Sequence, residues 1–161
     1  MTEDRLLEMA THDISLAFVR EIHDLGYRDA ALDKLVEFRI HGVSPQFIRE
    51  LMALGYKNLP ADQLVQFRIH GVSAEFVRGL AADGYRNVPI DQLVQFRIHG
   101  VSPEFVKELA DAGYRSVRAD QLVQFRIHGV NGAFIRDAVG RYGKLSADQL
   151  VQLKIRGRLD R

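Results

Sequence analysis

The sequence predicts an all-α fold: an α-solenoid of about five 29-residue two-helix repeats with degenerate terminal caps. Three observations predict it. The stretch Gln63–Val72 returns letter for letter at Gln92–Val101 and Gln121–Val130, a step of 29 residues each time. A looser copy, Lys34–Val43, lies one step upstream, and a worn one, Gln149–Gly157, lies downstream. Within each step the apolar residues recur at helical spacing, and two helix starts alternate with two glycine stops.

The unit from Pro60 to Val88 shows how each element is specified. Pro60-Ala-Asp-Gln opens the first helix, because a proline in the first turn gives up an N–H that has no helical partner. In the last copy Ser146-Ala-Asp-Gln149 reads as a capping box. Asp33, Asp62, Asp91, Asp120 and Asp148 all fall in this first turn, where a carboxylate complements the helix dipole. Gly71 stops the helix, since glycine adopts the left-handed conformation freely. Ser73 then caps the second helix. Ser44-Pro45 and Ser102-Pro103 give the order of cap and first helical residue still more plainly. The second helix carries the stripe Phe76, Val77, Leu80 and Ala81 and stops at Gly84, with Tyr85 folding back on its last turn. Helices of about ten residues do not persist alone in water, so each hairpin must be held by its neighbours.

The expected organisation is a single repeat domain over 1–161. It has a degenerate cap helix in 1–13, repeats at 14–42, 43–71, 72–100 and 101–129, and a last, degenerate repeat with its cap in 130–161. Glu3–Thr11 is the worn first helix, which gives six first helices and five second helices. The fifth copy is one residue shorter between Asn131 and Tyr142, so its second helix is expected to end differently.

Composition narrows the function. The hydrophobic share of 47% supports a continuous core. With 22 basic and 21 acidic residues the net charge is +1, which argues against a dedicated phosphate-backbone binder. There is no cysteine, so neither a disulfide framework nor a thiolate metal site is available. No apolar run reaches the ~20 residues of a membrane span, so no membrane insertion is expected. The N-terminus has no apolar centre of a secretory signal. The reading is of a soluble chain, in a cytoplasm or a periplasm.

On a helical wheel the second helix turns Glu75 and Arg78 outward, with Arg20, Arg49, Lys107 and Arg136 at the latter's position, a solvated face. The first helix spreads Leu64, Val65, Phe67 and Ile69 over a wide apolar arc that also contains Arg68. Arg39, Arg97, Arg126 and Lys154 match it. An arginine there either ties adjacent repeats or forms an anion site. A tie can use a first-turn aspartate, the carbonyls ending a helix or a tyrosine face. Opposite the arc lie Gln63, Gln66 and His70, then Gln92, Gln95 and His99, then Gln121, Gln124 and His128. Lys34, Glu37 and His41 head this ladder, and Gln149, Gln152 and Arg156 close it. If first helices line the concave side, these amides can hold the backbone of an extended peptide. The bland alternative is a row of exposed positions copied by duplication. If histidine contributes, binding changes as pH passes ~6.5.

Catalytic readings fail on spacing. Equivalent histidines sit about 8–10 Å apart, too far to share one ion, and His-Glu-x-x-His is absent. No cofactor is expected. Tyr27, Tyr56, Tyr85 and Tyr114, each followed by a basic residue, would offer stacking to single-stranded nucleic acid. A base-reading code, however, needs variation that the glutamines and histidines lack.

Gly-Tyr-Lys-Asn-Leu-Pro-Ala-Asp-Gln-Leu-Val, running into Phe-Arg-Ile-His-Gly-Val-Ser-Pro-Glu-Phe, resembles short repeats in bacterial proteins. Some of these form tails on membrane metallopeptidases of the beta-lactam-sensor type. The resemblance runs from about His12 to Gly157 and implies a bacterial source and a tail attached to a membrane protein. The chain has neither the peptidase motif nor membrane helices, so it implies no catalytic residue here. The general architecture is similar to tetratricopeptide-like solenoids, whose unit of about 34 residues is longer. The functional expectation is a non-catalytic protein- or peptide-binding repeat scaffold. The alternative is a spacer or self-assembly module without a dedicated ligand.

Overall fold

A computed structural model describes residues 3–157 of the chain. The described residues form eleven α-helices and no strand. First helices are α1 (Glu3–Thr11), α3 (Leu32–His41), α5 (Ala61–Ile69), α7 (Ile90–His99), α9 (Ala119–His128) and α11 (Ala147–Arg156). Second helices are α2 (Leu16–Asp24), α4 (Pro45–Ala53), α6 (Ala74–Ala82), α8 (Pro103–Asp111) and α10 (Gly132–Tyr142). The chain divides into two compact units, Met1–Val77 and Arg78–Arg161, with the boundary inside α6. None of the described helices is long and apolar enough to cross a membrane.

Local chemistry sets the boundaries. Ser15, Ser44, Ser73 and Ser102 each accept a hydrogen bond from the backbone N–H three residues on, at 3.1–3.2 Å, and Asn131 does the same for α10. Pro45 and Pro103 take the first helical position. Ser146 and Gln149 close the capping box. Pro60 and Pro89 differ from the expectation: each is the capping residue itself, with ψ near 145°, and the helix begins one residue later. Gly42, Gly100 and Gly129 end their helices in the left-handed region at φ 70–73°. The shortened copy does end differently, because α10 runs to 11 residues and stops at Gly143, φ 77°.

Packing repeats at the same step. In the first unit α3 packs on α5 and α2 on α4. In the second, α7, α9 and α11 form one row, and α8 packs on α10. One phenylalanine in each of α3, α5, α7 and α9, namely Phe38, Phe67, Phe96 and Phe125, is completely enclosed, and Leu51, Leu80 and Leu109 are equally enclosed in α4, α6 and α8. The tyrosine after each second helix does more than close it. The Tyr85 N–H donates to the Leu80 carbonyl, and its hydroxyl reaches 32 residues ahead to donate to the Val117 carbonyl at 2.6 Å. Tyr27 reaches Leu59 and Tyr114 reaches Leu145 in the same way, each at 2.7 Å. Burial pushes the Tyr27 and Tyr85 phenols above their usual range, which keeps them protonated and donating. These bonds satisfy loop carbonyls that would otherwise be desolvated without a partner.

A candidate binding face on the first helices

The ladder foreseen on the first helices separates into two rows with different partners. The inner row is engaged in structure. Gln121 Nε2 donates to Asp148 Oδ1 at 3.1 Å, and Gln92 Nε2 lies 3.5 Å from the Ala119 carbonyl, each reaching the first turn of the next repeat. Lys34, at the same register, donates to Asp62 at 2.6 Å and pairs with Glu37. Those two carboxylates hold the ammonium above its ordinary pKa. Gln63 is half-buried.

The outer row is pre-arranged, its glutamines exposed and its histidines half-buried. His70 Nε2 lies 3.2 Å from Gln66 Oε1, His99 3.1 Å from Gln95, and His128 3.2 Å from Gln124. With the amide oxygen facing it, Nε2 is the donor. Each bond uses the amide oxygen, and the glutamines that carry it are exposed.

The isoleucine of each first helix does not join the core. Ile69 was expected within the apolar arc, yet Ile40, Ile69, Ile98, Ile127 and Ile155 are 50–62% exposed. The wheel explains the correction: Ile69 sits about 60° from Gln66, on the edge of the arc away from Phe67. Val65 takes the buried edge and leaves the isoleucine outside. The result is an exposed isoleucine beside a glutamine–histidine pair on α5 in the first unit and on the successive first helices α7 and α9 in the second. Sequence patterning missed it because an apolar residue on an apolar flank is read as core. The available signal was that five isoleucines share one register.

The arginines face the preceding repeat. Arg68 Nε donates to the His41 carbonyl at 3.3 Å, and its guanidinium lies 5.1 Å from the Phe47 ring. Arg126 repeats this on His99 at 3.4 Å and Phe105 at 4.8 Å. Arg39 lies over Phe18, near the His12 carbonyl and paired with Asp13, and Lys154 lies over Phe134. Arg97 holds the equivalent register in α7. The stacked ring is a phenylalanine of the second helix and not the tyrosine considered above. The glycine stops have a second role here, because a Cβ on Gly42 or Gly100 would come within 2.9 Å of Arg68 or Arg126 Nη2. If these contacts are ties, Arg126→Met loses about 1 kcal/mol in a denaturant titration and leaves ligand binding intact. Unchanged stability with lost binding would instead make the arginines an anion site.

Among the described residues no group of three or more histidine, aspartate or glutamate side chains is placed to hold a metal ion. No known protein family matches the chain, and no curated protein or solved structure matches it either.

Proposed function

We propose that the chain is a non-catalytic α-solenoid that binds a protein or peptide across its first helices. The observation that carries this reading is the register of isoleucines left half-exposed beside the glutamine–histidine pairs. A single exposed isoleucine needs no explanation, but a row at one register is an organised apolar surface. The amides supply directional donors for a partner's backbone, and the isoleucines supply the apolar contact that lends affinity. Copying by duplication does not by itself account for the row. In the worn last copy phenylalanine has become Leu153, arginine Lys154 and histidine Arg156, while Ile155 stays.

The test is capture of partners from the source organism by the intact chain, compared with the triple variant Gln66→Ala, Gln95→Ala and Gln124→Ala. A partner held by the native chain and lost by the variant supports the reading. A partner retained equally by both would overturn the amide row as its site.

A further inference from the structure

The exposed rows of the second unit also select the backbone of the partner, given the binding face proposed above. There α7, α9 and α11 pack in one row. Gln95 and Gln124 are exposed beside Ile98 and Ile127, and Ile155 closes the row. Ile155 is 55% exposed, as Ile98 and Ile127 are at 53% and 51% in helices that another repeat follows. The apolar row is therefore a property of the repeat.

The polar groups of this face give more donors than acceptors. His99 and His128 take the amide oxygens of Gln95 and Gln124, so the NH2 is what each glutamine has left to offer. Two of the three first-turn carboxylates are also engaged: Asp120 accepts from Arg118 Nε at 3.0 Å, and Asp148 accepts from Gln121 at 3.1 Å. A β-strand presents N–H groups and carbonyls in equal number along its edge, so half of its groups would meet donors. A helix has already spent its carbonyls on its own N–H groups. A proline-rich segment in the polyproline II conformation has open carbonyls and few N–H groups.

The spacing agrees with the chemistry. Equivalent residues of neighbouring packed helices stand about 8–10 Å apart. Polyproline II has three residues per turn and rises about 3.1 Å per residue, so every third side chain recurs at about 9.3 Å. Alternate strand residues recur at about 6.6–6.8 Å, which falls out of step with the row. A helix comes near the spacing only at every seventh residue, at about 10.5 Å, with its carbonyls closed.

We infer that the α7–α9–α11 face takes a proline-rich segment in the polyproline II conformation. An apolar side chain at every third residue rests on Ile98, Ile127 and Ile155, and carbonyls between them accept from the Gln95 and Gln124 amides.

Titration of the intact chain with labelled synthetic peptides tests this. A peptide of repeated Leu-Pro-Pro units should bind at least about tenfold more tightly than two controls. The controls are an alternating Leu-Lys peptide, which forms strands, and an amphipathic helical peptide of leucine, lysine and glutamate. The double variant Gln95→Glu and Gln124→Glu exchanges donors for acceptors at nearly constant size and helix propensity. It should keep the native helical signal and weaken the Leu-Pro-Pro peptide at least about tenfold. Binding that this variant retains in full overturns the inference, and so does a Leu-Pro-Pro peptide that does not bind. Equal or tighter binding of either control overturns it too, yet leaves the face standing if Ile98→Asp with Ile127→Asp abolishes that binding. The face itself fails by a different sign, namely peptides that bind the isoleucine variant as tightly as the native chain.

Discussion

Phe125→Ala is expected to lower unfolding free energy by about 3–5 kcal/mol in a denaturant titration. The Phe125 ring is fully enclosed, in a helix that packs on both α7 and α11, so the cavity has lining from more than one repeat. Truncation removes the transfer energy of the ring, and the surrounding helices cannot close the void without breaking their own stacking. Against a typical total of about 5–15 kcal/mol, this is enough to leave the chain marginal. Ile127→Ala, two residues along the same helix, removes a side chain that is 51% exposed and should cost under about 1 kcal/mol. Equal losses from the two variants would mean that the isoleucine register belongs to the core.

The same isoleucines give the largest expected effect on binding. The double variant Ile98→Asp and Ile127→Asp should weaken a captured partner by about 100-fold in a direct titration, with the midpoint of unfolding little changed. Both residues lie in the second unit at one register, next to Gln95–His99 and Gln124–His128, and both are about half-exposed. A carboxylate there finds water in the free protein and an unfavourable apolar contact in the complex. Native affinity in this variant would remove the isoleucines from the site. Loss of helical signal would place them in the fold.

The helices were legible in the sequence because their boundaries are set by local chemistry. Ser44, Ser73 and Ser102 bond to N–H groups three residues away, and Gly42, Gly100 and Gly129 turn left-handed, so a short window holds the whole cause. What stayed hidden depends on residues about 30 positions apart. Nothing near Tyr85 announces that its hydroxyl finds the Val117 carbonyl, and nothing near Arg126 names Phe105 as its ring. The site was legible to the same degree. The wheel put Gln92 and Gln95 on one stripe, but only packing shows that Gln92 reaches the next repeat while Gln95 turns to His99. Ile98 was misplaced because periodicity orders residues around a helix without saying how far the neighbours extend.

The proposed solenoid has each hairpin held by the next one of its kind, as α3 packs on α5 in the first unit and α7, α9 and α11 pack in one row in the second. Small-angle scattering of the intact chain at high dilution tests it most directly. A ball of 161 residues would have a radius of gyration of about 15 Å. The proposed solenoid requires a clearly larger radius and a pair-distance distribution skewed to long distances. A value near 15 Å with a symmetric distribution would contradict it.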